Sequence, residues 1–218
     1  MPHTQLIEFL KAGLRRLDES QSLVPSADGT ALARAQTLAV IDFEMSGPKP
    51  RMHELLDAGI VVCDLAGVLP EQASWGERIR PKHIGNAVPG ALKVVGYSPK
   101  AWKQAITLEE AVGKLVELGS GAVITGWGIG QDIAFLLESL RRTDTPWPFA
   151  GVVLDIQPIA RALLGNEVDR LNLGHVADRL GIGRLGEHGA LADAYATYDV
   201  LVKLVERGVN SAGVDQVS

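Results

Sequence analysis

Leu38-Ala39-Val40-Ile41-Asp42-Phe43-Glu44 places two carboxylates two residues apart, directly after an apolar run. A strand puts residues i and i+2 on one face, so Asp42 and Glu44 project side by side while Phe43 turns into the opposite packing layer. Two like charges beside a low-dielectric core repel each other and resist ionisation. A bound divalent cation relieves the repulsion, because hard cations take oxygen ligands of this kind. The plainer alternative is a pair of acids that merely ends a strand at the surface. Further acids and a base downstream would separate the two.

Around that stretch the residues 37–43, 55–64 and about 68–79 carry strand patterns. Their connections, such as Asp64-Leu-Ala-Gly67, are too short for a helical crossover, so they predict an antiparallel meander. Residues 81–99, with Gly85, Pro89, Gly90 and Gly96, predict an exposed irregular region. Helices and strands then alternate: helix 108–118, strand 122–125, helix 129–142, strand 152–154, helix 156–164, a short helix 173–180 stopped by Gly181, and a long helix from 190 to about 206 ending at Gly208. Strands separated by helices imply parallel pairing. The expected architecture is α/β, a mixed five-stranded sheet of three antiparallel strands followed by two parallel ones, flanked by helices.

Ahead of the meander, Leu6, Ile7, Phe9, Leu10, Leu14 and Leu17 follow the spacing of one helical face behind a Thr4 cap. Residues 20–30 read as a loop. The expected organisation is an N-terminal helix and linker over 1–36, a catalytic domain over 37–208 and a frayed tail over 209–218. The N-terminal helix is expected either to cover the core or to form a homodimer contact.

At 218 residues, 46% apolar and 22% charged, the chain fits one globular domain with an appendage. No apolar run approaches the roughly 18 residues needed to span a bilayer. The start, Met1-Pro2-His3-Thr4-Gln5, lacks a basic flank followed by an apolar stretch, so a cytoplasmic protein without membrane contact is expected. The single cysteine, Cys63, lies in a strand-like run and is expected to be a buried small apolar residue. A net charge of −5 argues against a protein that coats nucleic acid through a broad basic face. It leaves room for a nucleic-acid enzyme, because bound cations would reverse the local charge at an acidic site.

Downstream acids do follow. Asp132, in Gly126-Trp-Gly-Ile-Gly-Gln-Asp132, falls in the first turn of a helix that begins at a strand's carboxyl end, where an α/β sheet presents ligands. Asp193, in His188-Gly-Ala-Leu-Ala-Asp193, lies inside the start of the last helix beside the apolar stripe Leu191, Tyr195, Tyr198 and Val202. His188 precedes that helix in the glycine-flanked turn Gly186-Glu187-His188-Gly189. Each of these also has an ordinary explanation as a helix-stabilising acid or a loop histidine.

In that order the three motifs resemble the DEDDh subgroup of the proofreading-exonuclease superfamily, a ribonuclease H-like fold. The resemblance covers residues 38–204. Asp155-Ile-Gln-Pro-Ile-Ala-Arg161 and Leu171-Asn-Leu-Gly-His175-Val-Ala-Asp-Arg-Leu-Gly181 resemble supporting segments of the same family, with Asp155 and His175 in structural roles. The resemblance implies a 3'-5' exonuclease that releases nucleoside 5'-monophosphates from single-stranded DNA or RNA. Asp42, Glu44, Asp132 and Asp193 would hold two Mg2+ or Mn2+ ions about 4 Å apart. His188 would be the general base, its reference pKa near 6.5 suiting proton removal from water near neutral pH. Met45, Ser46 and Gly47 would cradle the terminal nucleotide, with main-chain donors towards its 3' hydroxyl.

Two features depart from or compete with the pattern. Many members carry an asparagine and a phenylalanine shortly before the second aspartate, whereas this chain has Trp127-Gly-Ile-Gly-Gln131, which resembles a variant of RNA-processing branches and leaves the substrate open. Tyr195-Ala-Thr-Tyr-Asp199 also fits the tyrosine form of the third motif, although His188 and Asp193 bracket the helix start in the more familiar form. Arg51, Lys82, His83, Lys93, Lys100, Lys103 and Arg184 are candidate phosphate contacts, with solvated surface charge as the commoner role. Trp75, Trp102, Trp127 and Trp147 are candidate base-stacking residues, with packing as the commoner role. The rival classes are a catalytically silent module that binds nucleic acid or protein, and a dinucleotide-binding protein. The latter is disfavoured because the third glycine of Gly126-Trp-Gly-Ile-Gly130 comes one position early.

Overall fold

The computed structural model describes residues 3–67, 69–168, 170–183 and 189–214. The N-terminal segment forms helix α1 (His3–Leu10), a single 3-10 turn (Lys11–Gly13), strands β1 (Leu14–Leu17) and β2 (Leu23–Pro25), and a short helix α2 (Thr30–Arg34). The meander follows as β3 (Thr37–Met45), β4 (Leu55–Asp64) and β5 (Glu71–Arg78), paired antiparallel in turn. Helix α3 (Pro89–Val95) occupies the segment expected to be irregular. Proline in its first turn and a left-handed Gly96 at its end give it the usual start and stop. Helix α4 (Leu108–Gly119), β6 (Val123–Gly126), α5 (Gly130–Arg142), β7 (Val153–Asp155), α6 (Ile156–Leu164), α7 (Leu173–Arg179) and α8 (Ala190–Val214) complete the chain.

All seven strands join one mixed sheet in the order β2-β1-β7-β6-β3-β4-β5. β6 pairs parallel with β3 and with β7, as the helical crossovers require. The sheet separates two cores. Ala39, Ile41 and Phe43 of β3 face α4 and α5, where Val112, Leu115, Phe135 and Leu136 close the layer. The opposite layer holds Leu6, Leu10 and Leu14 of the N-terminal segment with Ile159, Val176, Leu201 and Leu204 of α6, α7 and α8. β3 is thus covered on both faces, and its carboxyl end is the place where side chains can leave the core.

Five strands were expected, and the described residues form seven. Leu14 and Leu17 suit a helical face by spacing, yet the helix stops at Leu10 and the two leucines continue into β1. Gly13 marks the break, because a Cβ there would stand 2.2 Å from the Asp155 carbonyl oxygen and 2.9 Å from Ile159 Cδ1. Only a residue without a side chain lets the backbone close on α6 at that point. Leu14 then enters the α6–α8 core while Leu17 leans on the α4–α5 core, as strand neighbours of odd separation should. β1 pairs antiparallel with β7, and β2 with β1, so the hairpin extends what would have been the sheet's β7 edge. Within 20–30, expected to be a loop, residues 23–25 form β2.

At the other end α8 runs through Gly208, expected to be its stop, to Val214. A Cβ at Gly208 would lie 2.6 Å from the Phe9 ring, so this glycine permits α1 to pack on α8. Residues 215–218 lie outside the described residues.

Because Leu10 is fully buried between α1 and the sheet, Leu10→Ala should lower stability by about 2–5 kcal/mol. Urea unfolding followed by circular dichroism checks this. A loss below about 1 kcal/mol would mean the N-terminal segment is a dispensable appendage.

Candidate active site

Asp42 and Glu44 project from the face of β3 that meets α8. Val40, two residues earlier on the same face, packs against Val61 and Ala194. One carboxylate oxygen from each of Asp42, Glu44 and Asp193 lies within 4.8 Å of the other two. Asp193 reaches them from the first turn of α8, whose Asp193 amide donates to the Gly189 carbonyl at 3.0 Å. Asp132, in the first turn of α5, comes from the other side of the sheet's carboxyl end. Its Oδ1 accepts the Phe43 amide at 3.1 Å, the peptide between the two acids of β3. The structure therefore brings all four predicted acids to one place.

Burial pushes the Asp42 carboxyl well above its ordinary range, and Asp132, Asp193 and Glu44 add to the rise. Burial also carries Asp132 up to about 7, against its hydrogen bonds to backbone amides and with the charge of Glu44 pushing the same way. A cluster of oxygens that resist ionisation without a counter-charge is donor chemistry suited to a hard divalent cation.

The helix that brings Asp193 approaches unusually closely, and glycine is the reason. Gly59 is the cross-strand partner of Asp42. A Cβ there would lie 2.4 Å from the Ala190 carbonyl and the Leu191 nitrogen, and one on Gly76 would lie 2.6 Å from Leu191 Cβ. Neither glycine was singled out in the sequence. The signal was available, since an isolated glycine inside an apolar strand marks a close backbone approach.

The segment after β3 is fixed from several directions. Ser46, 2% exposed, donates its amide to the Glu54 carbonyl, and its hydroxyl accepts the Glu54 amide at 2.9 Å. Its carbonyl accepts the Val88 amide, which ties the segment to α3. The Ser46 amide is therefore occupied within the chain, which narrows the expected main-chain donors of 45–47. Gly47 lies against the His53 ring, where a Cβ would come within 2.6 Å. His53 Nδ1 accepts the Lys49 amide at 2.8 Å. Glu138, 8% exposed, is held to about pKa 2 by Arg141 and, less strongly, Arg142, and Arg142 donates to the carbonyls of Pro50 and His53. Gln131 beside Asp132 donates to the Pro48 carbonyl. The anchoring of this segment by Arg142 escaped the sequence reading because Pro50 and His53 lie 92 and 89 residues before it.

Other expectations resolve by geometry. Tyr195 donates to Glu71 and shares a second hydrogen bond with the Ser74 hydroxyl, and burial beside Glu71 raises the Asp199 carboxyl, so the competing tyrosine motif faces β5 and not the acids. Asp155 caps α6 and accepts the Gly128 amide at 2.9 Å, which steadies the turn leading to Asp132. His175 meets Asn172 in the α7 cap. Trp102 and Trp147 donate to the carbonyls of Leu56 and Ala150, and Trp75 and Trp127 lean on the cores. Lys82 pairs with Glu109. Cys63 is buried in β4, its thiol pushed up to about 12 by burial. His188 and Arg184 lie outside the described residues.

A family model described as RNase T exonuclease matches residues 39–201, most of the chain and every one of the four acids. The chain belongs to this exonuclease family. The match supports its recognition as a nuclease of the DnaQ-like superfamily with a ribonuclease H-like α/β fold. A Mycobacterium tuberculosis (strain CDC 1551 / Oshkosh) protein named as a bifunctional exonuclease/endonuclease is 28% identical over 187 residues, covering 83% of this chain. Among solved structures, Escherichia coli exonuclease I in complex with a dT13 oligonucleotide overlays with a TM-score of 0.68 at 19% identity over 78% of this chain. Exonuclease I from Methylocaldum szegediense gives 0.65 at 22% identity, also over 78%. The chain spans only 28% of the mycobacterial relative and 41% and 40% of the two exonuclease I chains. None of its helices, among the described residues, is long and apolar enough to cross a membrane.

Two predictions come from this geometry. The folded domain keeps a proton on Asp132 up to about pH 7, while the unfolded chain releases it near 3.8. Raising the pH through that window should therefore lower the melting temperature of metal-free protein. Added Mn2+ should reverse the fall, with a larger rise at pH 8 than at pH 5; a rise equal at both would refute the coupling. Gly59→Ala should cut nuclease activity about a hundredfold, because the first turn of α8 must move away from Asp42. The fold should survive at a cost of about 1–3 kcal/mol, read by a thermal melt.

Proposed function

We propose that this chain is a metal-dependent 3'-5' exonuclease that shortens single-stranded DNA or RNA one nucleoside 5'-monophosphate at a time. The observation that carries the reading is the convergence of Asp42, Glu44 and Asp193 within 4.8 Å, with Asp132 bonded to the peptide between the first two. A bound cation would offset the repulsion of acids brought so close together. The donor set is all oxygen, so Asp42, Glu44, Asp132 and Asp193 would hold two ions, Mg2+ or Mn2+. Such ions, when bound, make water acidic enough to attack near neutral pH and offset charge on phosphate and leaving oxygens.

The chain's own residues supply the rest. His188 takes the proton from the attacking water. Met45 and Gly47 border the terminal nucleotide, and the anchoring of residues 46–54 by Ser46, His53 and Arg142 keeps that border in place. Single-stranded substrate fits the exonuclease I complexes with dT13 and dA16. Only the exonuclease half of the mycobacterial relative's name is carried over, since residues 39–201 match an exonuclease model. A silent binding module is disfavoured because all four acids are present.

With 5'-labelled oligonucleotides and Mg2+, the wild type should give a ladder that shortens stepwise from the 3' end. Asp42→Asn and Asp193→Asn should each slow it by more than about a hundredfold, beyond what loss of an outer-shell partner causes. His188→Ala should slow it by about 10²–10⁴-fold while leaving Mn2+ binding intact. An intact substrate, or shortening from the 5' end, refutes the proposal. Parallel rates on matched DNA and RNA strands identify the preferred substrate.

A further inference from the structure

We propose that the cavity bounded by residues 50–55, residues 79–83, the start of α4 and the later turns of α5 is a phosphate-binding site, with Arg51 and Arg80 as its free cations. The proposal deepens the exonuclease reading and rests on it for the ligand, because phosphate is the anion that a nuclease's substrate and product both carry. The positive cavity itself stands on geometry.

The cavity measures about 490 Å³, within the range of small-ligand sites. Five permanent cations line it, Arg51, Arg80, Lys82, Arg141 and Arg142, against three carboxylates, Glu54, Glu109 and Glu138. A chain with a net charge of −5 thus carries a local excess of two positive charges at this place. The carboxylates are committed within the chain. Glu54 accepts the amides of Lys82 and His83 at 2.9 and 2.8 Å, one on each oxygen, and so shapes the wall. Glu109 holds Lys82 at 2.8 Å, and Glu138 holds Arg141 and Arg142 at 2.7 and 2.9 Å. Two guanidinium groups remain. Among the described residues the Arg80 guanidinium donates only to the Ala105 carbonyl, at 2.8 Å, and that of Arg51 forms no hydrogen bond or ion pair. Such planar forks match the oxygens of a phosphate in pairs.

Arg51 is presented from a fixed base. The amides of Met52 and His53 both donate to the Lys49 carbonyl, and Arg142 donates to the Pro50 carbonyl at 2.7 Å. The turn that carries Arg51 is therefore tied to itself and to α5. An anion there meets donors whose backbone is already ordered, which lowers the cost of binding. The same two elements link the cavity to the acids. Segment 46–54 runs from Ser46, two residues past Glu44, to the Glu54 wall. Helix α5 carries Asp132 in its first turn and then lines the cavity with Phe135, Glu138, Ser139 and Arg142, the spacing of one helical face. At 1.5 Å of rise per residue the cavity centre lies roughly 10 Å along α5 from Asp132. A strand whose end lies at the acids is thus near enough to set the phosphates behind that end against Arg51 and Arg80. A nucleoside 5'-monophosphate released at the acids carries the same chemistry.

The test uses the full chain at low salt in EDTA, where no metal-dependent cleavage runs, with two probes: a 5'-labelled dT13 strand by fluorescence anisotropy and adenosine 5'-monophosphate by calorimetry. Arg51→Ala/Arg80→Ala is compared with wild type and with Arg179→Ala/Lys203→Ala, which removes the same charge from α7 and α8 on the opposite side of the sheet. If a bound strand is the source of the phosphate, the cavity variant should bind dT13 about tenfold more weakly. Its slope of log affinity against log salt should then shrink by about 1.4, two contacts at about 0.7 each for a single strand. With Mg2+ its KM for dT13 should rise about tenfold while kcat stays within about twofold. If the released nucleotide is the source, affinity for adenosine 5'-monophosphate should fall about tenfold and that for dT13 should hold. The control pair should keep both affinities within about twofold. Wild type that binds neither probe, or a cavity variant that binds both unchanged, would overturn the proposal. So would an equal loss in the control pair, since diffuse charge would then be the cause. If the double variant does not fold, Arg51→Ala alone decides, because it breaks no hydrogen bond within the chain: a loss of about threefold is expected, and none overturns the site. A wild type that binds a probe through this cavity but cuts no strand refutes the exonuclease reading and leaves the phosphate site standing.

Discussion

Like-charge crowding at the carboxyl end of β3 is the constraint around which this molecule is built. Three carboxylate oxygens within 4.8 Å and a fourth acid bonded to the intervening peptide oppose folding in the absence of a counter-charge. The fold must hold them together by other means. It does so with covered strands and short helix starts: β3 is sandwiched between two apolar layers, Asp132 is pinned by the Phe43 amide, and α8 is pressed onto Gly59 and Gly76. Each acid is thus delivered by an element whose position is set by packing elsewhere, which makes the repulsion tolerable and leaves the site pre-organised for a cation.

The two sides of the sheet contribute unequally. The α4–α5 side places Asp132 and anchors the segment 46–54 through Gln131, Glu138 and Arg142. The α8 side places Asp193 with almost no side-chain volume between helix and strand. A contact between backbone and glycine has no rotamers to adjust, so it sets distance more sharply than a leucine-filled interface does. The cost is tolerance: a single methyl at Gly59 would meet main-chain atoms, so the whole first turn of α8 would have to shift.

Much of this was legible in the chain. Asp42 and Glu44 declared themselves because a period of two is read directly from sequence, and Asp132 and Asp193 because each follows a recognisable helix start. The meander and the parallel crossovers were legible from connection lengths. The N-terminal hairpin was not. Leu14 and Leu17 satisfy a helical face as well as a strand, and the deciding contact, Gly13 against the Asp155 carbonyl, joins residues more than 140 positions apart. Gly208 misled for a related reason, since a glycine that ends a helix and one that admits a neighbouring ring look alike in sequence.

The formal charge of −5 is also less informative than the placement of the acids. Four of the 26 acidic side chains converge at the site, and two divalent ions there would change its local charge by four units. A strand's phosphates would then meet a site near neutrality, in a protein whose remaining charge is close to balance, 21 basic against 22 acidic side chains once the four at the site are set aside from the 26. Without a broad basic face such a protein is poorly suited to coating nucleic acid, and affinity would be concentrated where the backbone can reach bound cations. A free end reaches a recessed site more easily than the middle of a strand, because the segment 46–54 borders the acids and is bonded to both α3 and α5. A metal-dependent attraction inside a bordered site would therefore favour engagement at an end.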